Sequence, residues 1–154
     1  MLYIKSYLKQ SEIHGIGLYA AEDIKRGKVI WKEHPKTTQT FLKKQYIKHC
    51  SQFSYPALLD FLSYSYIRNG TIYYLNDNTR FVNHSDDPNI AFITDDCEVA
   101  IRDIKAGEEL TENYLLSYDK NDFFNLDIYE ENGKKELLKK IKENVLELDR
   151  SQMM

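Results

Sequence analysis

The phrase Asp-Ile-Lys-X-Gly occurs twice along this chain of 154 residues, at Asp23–Gly27 and at Asp103–Gly107. A glycine that closes a short polar phrase is typical of a tight turn, because glycine lacks a Cβ atom and adopts backbone angles that other residues avoid. The first copy leads into the strand-like residues Val29-Ile30-Trp31. The two copies therefore predict the same kind of turn into a strand at two distant places, which favours a fold of short strands.

Other segments of strand-like or helical patterning surround these two turns. Strands are predicted at Leu2–Leu8, Gly17–Ala20, Val29–Trp31 and Thr71–Leu75, and a hairpin at Asn89–Thr94 and Cys97–Ile101. Helices are predicted at Thr40–His49, Tyr55–Tyr66 and Lys134–Leu148. Since we find no repeat, low-complexity run or linker, the chain is predicted to be a single α+β domain.

Composition narrows the class of protein. A hydrophobic fraction of 42% is too high for intrinsic disorder, and a chain of this length needs no disulfide to form a core. Two cysteines, Cys50 and Cys97, are too few for a disulfide framework or a four-cysteine zinc site. The chain starts without the apolar core of a signal peptide, and no stretch approaches ~18 uninterrupted apolar residues. We expect a soluble intracellular protein, cytoplasmic or nuclear, and in a host nucleus if it comes from a virus or an intracellular bacterium.

The formal net charge of −3 hides a division along the chain. Residues 1–70 carry eleven Lys/Arg and five Asp/Glu, whereas residues 71–132 carry four Lys/Arg and fifteen Asp/Glu. An acidic surface in the second stretch would attract a basic partner, although a solvated face without a partner would have the same composition. The charge argues against direct binding of nucleic acid.

The first candidate site is Gly15-Ile16-Gly17, within His14–Ala20. Gly-X-Gly lets a backbone approach a ligand closely, but a tight turn between two strands has the same pattern. A dinucleotide fingerprint is excluded because Ala20 stands where its third glycine would fall.

The second candidate site is Arg80–Asn89, which reads Arg-Phe-Val-Asn-His-Ser-Asp-Asp-Pro-Asn. The amide of Asn83, the ring of His84 and the backbone of such an irregular turn could meet the edge of a purine ring. The adjacent His84 and Ser85 cannot readily face each other as base and nucleophile, and no second His or Cys lies at metal-ligand spacing. A structural turn is the alternative reading.

The third candidate site is Gly107–Tyr114, which reads Gly-Glu-Glu-Leu-Thr-Glu-Asn-Tyr and follows the second turn phrase. Within this segment, the side chain of Tyr114 has the most plausible hydroxyl for chemistry, although a lone tyrosine is more often a packing residue.

In this order and spacing, the three segments resemble the motifs of the SET domain family of protein lysine methyltransferases. The resemblance covers about residues 1–120, with a helical insert at about 37–70, and leaves 121–154 as a helical extension that packs on the domain or on a partner. It implies a mainly β, β-clip-like fold of small sheets with a C-terminal pseudoknot, in which the last motif threads under a preceding loop.

The resemblance also implies S-adenosylmethionine as cofactor and S-adenosylhomocysteine as product. The backbone around Ile16, Gly17 and Leu18 would hold the methionine part of the cofactor, and Asn83 and His84 its adenine end. Arg80 would steady the pocket. Tyr114 would contact the cofactor at the point where the lysine channel reaches it, and would be the catalytic residue.

The channel departs from the family pattern. Many members have a cysteine after Asn-His-Ser and a later Cys-X-Cys cluster that binds zinc, but Asp86 follows that phrase here and no cluster comes later. We therefore expect no zinc. Channel walls are predicted at Tyr73, Tyr74, Glu112 and Tyr118, with closure by Tyr118, Phe123, Phe124 and the terminal helix, which could instead form a homodimer contact.

Glu112 stands where an aromatic residue often lines the channel. A carboxylate there could meet the incoming ammonium group or could spoil the channel. The leading hypothesis is a lysine methyltransferase that acts on a basic protein such as a histone in chromatin. The alternative is a SET-like module that binds a peptide or the cofactor without methyl transfer. No membrane partner is expected.

Overall fold

A computed structural model describes residues 1–120, 122 and 133–152 of the chain. The chain divides into two compact units. The first consists of residues 1–38 and 75–117, and the second of residues 39–74 and 118–154. The insert predicted at about 37–70 and the extension predicted from residue 121 thus fall almost entirely within the second unit.

Short strands dominate the first unit, and helices are mostly in the second. The strands are β1 (Ser6–Gln10), β2 (Ile16–Ala20), β3 (Val29–Lys32), β4 (Thr38–Phe41), β5 (Ser65–Arg68), β6 (Thr71–Leu75), β7 (Asn83–His84), β8 (Ile90–Thr94), β9 (Cys97–Ala100) and β10 (Thr111–Glu112). The helices are α1 (Lys43–Ser51), α2 (Tyr55–Ser63), α3 (Tyr114–Ser117) and α4 (Gly133–Gln152), with a short 3-10 helix at Asn78–Phe81. The prediction of small sheets, mainly β, is confirmed.

The two copies of the turn phrase bind each other. Ile24 and Ile104 are both buried and exchange backbone hydrogen bonds of 2.7 and 2.8 Å. The aspartate of each copy accepts from the backbone of the other, Asp103 from the Arg26 N–H (2.9 Å) and Asp23 from the Ala106 N–H (3.0 Å). The repeated phrase therefore builds one reciprocal contact between distant parts of the first unit.

Three sheets form the rest of the first unit. β1 and β2 make an antiparallel hairpin, β3, β9 and β8 make a three-stranded sheet in that order, and β7 pairs with β10. The predicted hairpin around Asp95-Asp96 is confirmed as β8 and β9. Trp31 on β3 is buried, packs edge-on against Phe92 and donates from Nε1 to Asp77 (3.2 Å).

The strand predicted at Leu2–Leu8 is wrong in its bounds. Leu2 makes only an isolated bridge to Trp31, and the Tyr3 N–H donates to the Ile30 carbonyl (2.9 Å). The chain then leaves β3 and pairs with β2 as β1. The apolar pattern could not reveal this change of partner, because both pairings use the same kind of residue.

The second unit packs helices around one aromatic core. α1, α2 and α4 contribute buried residues to a cluster that includes Tyr46, Phe61 and Ile141, and Phe61 stacks on Tyr74 of β6 at 4.6 Å. β4, β6 and β5 form its sheet in that order. Burial raises the pKa of the Cys50 thiol in this core to about 12, so the thiol stays protonated at neutral pH.

Two predicted helices differ from the structure at their ends. Residues 38–41, partly assigned to a helix, form strand β4, and the second helix ends at Ser63 because Ser65–Arg68 pairs with β6. The terminal helix is confirmed, with Leu137, Ile141 and Val145 buried as one stripe. Among the described helices, none is long and apolar enough to cross a bilayer.

Candidate active site

The predicted site residues divide between the two units. The first unit contains Ile16, Gly17, Leu18, Arg80, Asn83, His84, Glu112 and Tyr114. The second contains Tyr73, Tyr74 and Tyr118. Phe123 and Phe124, predicted to help close a channel, lie outside the described residues.

The second and third motifs meet in the parallel pair of β7 and β10. The Ser85 N–H extends this pairing by donating to the Glu112 carbonyl (2.9 Å). At the other end of the loop, the Asn89 amide donates to the Glu109 carbonyl (2.8 Å) and accepts from the Thr111 N–H (2.9 Å). The segment that contains β10 is therefore hydrogen-bonded to both ends of the loop 85–89, as expected of the predicted pseudoknot.

Asn83 ties all three motifs together. Its buried side-chain amide donates to the carbonyls of His14 (3.0 Å) and Ile16 (3.4 Å) and to Oε1 of Glu109 (3.0 Å). These acceptors use the hydrogen-bonding capacity of the amide nitrogen within the protein. The side chain of Asn83 thus holds the Gly-X-Gly turn in place.

Gly17 is a glycine because a protein side chain lies against it. A Cβ atom at this position would overlap the carboxylate of Glu109 and would lie 3.2 Å from Cβ of Ser11. The adjacent Leu18 is fully buried, and its carbonyl accepts from the Leu110 N–H (2.7 Å), whereas the Ile16 side chain is exposed.

Removal from water, with a smaller contribution from the Glu109 carboxylate, raises the pKa of neighbouring Tyr19.

The His84 ring links the second motif to Tyr114. Its Nδ1 accepts from the Tyr114 backbone N–H (3.1 Å), and its Nε2 lies 3.0 Å from Oδ1 of Asp86. The centroids of the His84 and Tyr114 rings are 5.4 Å apart, with the planes tilted by 55°.

Tyr114 begins α3 and is half-buried. Its hydroxyl donates to the carbonyl of Val82, at the end of the apolar pair that precedes Asn83. The chain from Val82 to His84 therefore holds both the backbone and the hydroxyl of Tyr114. A hydroxyl fixed against a carbonyl can orient a reacting amine.

Two other predicted site residues of the first unit are Glu112 and Arg80. Glu112 is only 3% exposed, and one of its carboxylate oxygens accepts from the Ser117 hydroxyl (3.3 Å). Arg80 lies in the 3-10 helix, which Asp77 caps through the Thr79 N–H (3.1 Å). The Arg80 guanidinium lies 5.1 Å from the centroid of the Phe81 ring.

The predicted channel tyrosines of the second unit face different surroundings. Tyr73 stacks on Tyr66 (4.8 Å), which also packs against Tyr118 (5.0 Å). Tyr74 is the next residue along β6 and instead stacks on Phe61 in the helical core. Because successive side chains of a strand point to opposite faces, only one of Tyr73 and Tyr74 can join the Tyr66 cluster.

Sequence reasoning missed three residues of these arrangements. Glu109 and Asn89 lie inside quoted motifs, but the pattern gave no reason to distinguish them from other polar residues of the turns. Tyr66 was assigned to a helix. Two strand-favouring residues, Tyr66 and Ile67, stand just before Asn69-Gly70, a turn dipeptide, and this is the signal that could have placed Tyr66 on a hairpin strand.

The groups around Tyr114 suit a sulfonium cofactor. The Val82 carbonyl and the Tyr114 hydroxyl are oxygens that can lie against a positively charged methyl group without a metal. Among residues 1–120, 122 and 133–152, no three or more His, Cys, Asp or Glu side chains are grouped so that they could hold a metal ion.

Comparison with known proteins supports the same family. A family model described as SET domain matches residues 15–115. The Neurospora SET domain protein DIM-5, a histone lysine methyltransferase, superposes with a TM-score of 0.54 at 19% identity, over 73% of this chain and 53% of its own. No curated protein sequence matches the chain significantly.

Two structures of the Polycomb Repressive Complex 2 from Chaetomium thermophilum are also similar. The autoinhibited complex bound to S-adenosylmethionine has a TM-score of 0.55 at 24% identity, over 76% of this chain and 16% of that chain. The complex with trimethylated histone H3 has a TM-score of 0.55 at 27% identity, over 82% and 16%. The chain therefore spans about half of DIM-5 and a much smaller part of the Polycomb chains.

The family match includes the three motifs that the first unit brings together. The similar structures share the arrangement of small sheets, and the motif order agrees with the expectation from the sequence. The chain belongs to the SET domain family.

Proposed function

We propose that the chain is an S-adenosylmethionine-dependent protein lysine N-methyltransferase. The observation that carries the proposal is the position of Tyr114, which ends the third motif and is held at its backbone by His84 and at its hydroxyl by Val82. A family of lysine methyltransferases and a neighbouring structure bound to S-adenosylmethionine support it.

The cofactor is assigned to the first unit. The backbone around Ile16, Gly17 and Leu18 would hold its methionine part, and Asn83 and His84 would meet its adenine end. Arg80 would steady the pocket. When bound, S-adenosylmethionine supplies an electrophilic methyl group on a positively charged sulfur. The protein contributes the fixed oxygens around Tyr114.

Tyr114 is assigned an orienting role. The reaction needs a neutral lysine amine, but a free lysine has a pKa of about 10.4 and is mostly protonated at pH 7. A desolvated channel and a nearby positive charge both lower that pKa. The Tyr114 hydroxyl then aligns the amine for in-line attack, which is a matter of position and electrostatics and not of proton abstraction.

The substrate is assigned as a basic protein or peptide, such as a histone tail. Residues 75–117 carry ten Asp/Glu and three Lys/Arg, so this part of the first unit favours a positively charged partner. Tyr73, Glu112 and Tyr118 remain proposed channel residues, whereas Tyr74 stacks on Phe61 from the opposite face of β6 and is not retained with them. A homodimer through α4 also remains a proposal, and within the chain α4 packs on α1 and α2.

The test replaces Tyr114 by phenylalanine. We expect Tyr114→Phe to lower methyl transfer roughly 100-fold or more, because it removes the hydroxyl that would align the amine. Cofactor affinity, measured by calorimetry, should stay within about threefold, since the hydroxyl does not hold the cofactor. Transfer is read by mass spectrometry of histones incubated with the cofactor.

Tyr3→Phe is the matched control, because Tyr3 is exposed and lies outside the motifs. Full transfer by Tyr114→Phe would remove Tyr114 from the mechanism.

The second candidate function is a binding module, which the buried carboxylate of Glu112 favours. Saturable cofactor binding by the wild-type protein, with no methyl added to any basic protein, would support the module and contradict the enzyme.

A further inference from the structure

Asp86 is not part of the proposed chemistry, yet it contacts the ring that holds Tyr114. It follows Asn83-His84-Ser85, and its side chain is 91% exposed. We propose that Asp86 is a positioning residue, which holds the His84 ring so that Nδ1 accepts from the backbone of Tyr114. This inference rests on the proposed function, because it concerns the residue that would orient the substrate amine.

The two contacts of the ring determine where its proton lies. Nδ1 accepts from the Tyr114 N–H at 3.1 Å, so Nδ1 itself has no proton. The proton of the neutral ring is then on Nε2, from which it is donated to Oδ1 of Asp86 at 3.0 Å. A ring turned by 180° about χ2 would present carbon atoms to both partners. The Asp86 contact therefore favours both the orientation and the tautomer that Tyr114 needs.

The N–H that His84 accepts is at the start of a helix. The first N–H groups of a helix have no partner within it and need a capping group. For α3 the imidazole supplies that group at Tyr114, and the Val82 carbonyl accepts from the hydroxyl of the same residue. A change in the orientation of the His84 ring would therefore shift the Tyr114 backbone and, with it, the Tyr114 side chain.

The adjacent residue supplies a matched control. Asp87 is 92% exposed and pairs with Arg102 at 3.0 Å instead of with His84. Asp86→Ala and Asp87→Ala remove the same charge from neighbouring positions of one loop. Only the first removes the hydrogen bond to the ring. Asp86→Asn keeps an acceptor oxygen but loses the charge, so it separates hydrogen bonding from electrostatics.

The experiment compares these three variants with the wild-type chain. We expect Asp86→Ala to lower kcat about fivefold, which is the upper range for an exposed hydrogen-bonded pair, with cofactor affinity unchanged. Asp87→Ala should keep kcat, and Asp86→Asn should restore most of it. Equal losses in Asp86→Ala and Asp87→Ala, or no rescue by Asp86→Asn, would overturn the proposal.

A second readout does not depend on activity. Nitrogen-15 NMR of the ring distinguishes the two neutral tautomers, and His84→Gln identifies the His84 signals among the four histidines. The wild-type chain and Asp86→Asn should show Nε2 protonated, and Asp86→Ala should show a mixture. An unchanged tautomer in Asp86→Ala would contradict the proposal. If the wild-type chain transfers no methyl group, the proposed function fails, while this readout still decides the role of Asp86.

Discussion

Gly17 illustrates how a motif residue can act through the protein's own side chains. The Glu109 carboxylate lies in the space that a Cβ atom at position 17 would need, and it accepts there from the Asn83 amide. Asn83 in turn holds the carbonyls of His14 and Ile16. The glycine therefore leaves room for a bond between the first and third motifs, before any ligand is considered.

Gly17→Ala should push the Glu109 carboxylate away and break its bond to Asn83. We expect a loss of about 1 kcal/mol in the free energy of unfolding, because the half-buried carboxylate can move aside but gives up its hydrogen bond to Asn83. Urea titration followed by Trp31 fluorescence measures this loss, since the only tryptophan is buried in the first unit.

A double mutant tests whether Glu109 causes the loss of stability in Gly17→Ala. In Glu109→Ala the carboxylate is gone, so adding Gly17→Ala should cost less than it does in the wild-type chain, and the two changes should not be additive. Full additivity would mean that the contact with Ser11 or the backbone, and not Glu109, requires the glycine.

At the scale of elements, the packing of α4 depends on one stripe of apolar side chains. Leu137, Ile141 and Val145 are buried against α1 and α2, whereas Lys142, next to Ile141, is exposed. A helix with this pattern is stabilised mainly by burying its apolar face and not by helix propensity.

Ile141→Ala should therefore destabilise the second unit by about 2–5 kcal/mol, because it leaves a cavity in a closed core. Lys142→Ala is the matched control and should change stability by no more than about 0.5 kcal/mol. Urea unfolding followed by circular dichroism reports on the helices. Similar losses in both variants would mean that α4 does not pack through this stripe in solution.

For the whole molecule, the uneven charge matters more than the net charge. The chain carries a formal −3, but residues 75–117 alone carry seven more acidic than basic side chains. Fields of this kind act over the Debye length, which falls from ~30 Å at 0.01 M salt to ~8 Å at 0.15 M. Association with a basic substrate should depend on salt more than the chemical step does.

Raising salt over this range should increase KM for a histone peptide roughly tenfold and leave kcat unchanged. The comparison substrate is a peptide with the same lysine and neutral flanking residues, whose KM should stay nearly constant. If both peptides respond alike, the acidic stretch does not select the substrate.

The sequence alone determined the family, the turns and the terminal helix. Fixed spacings of glycine, asparagine, histidine and tyrosine are local signals, so Gly15–Gly17, Arg80–Asn89 and Gly107–Tyr114 could be read without a structure. The stripe of α4 is equally local, because helical spacing repeats within a few residues. β4 was missed because its partner β6 is distant in sequence, and the bounds of β1 were missed because Leu2 bridges the distant Trp31.

Only the tertiary structure decided what each motif residue does. Asn83 binds the first and third motifs, Glu109 fills the space above Gly17, and Asp86 reaches Tyr114 through His84. These contacts join residues that are up to 69 positions apart. A hydrogen bond needs its donor–acceptor distance to be correct to within a few tenths of an ångström. Sequence spacing cannot specify distances so closely once the chain has turned back on itself.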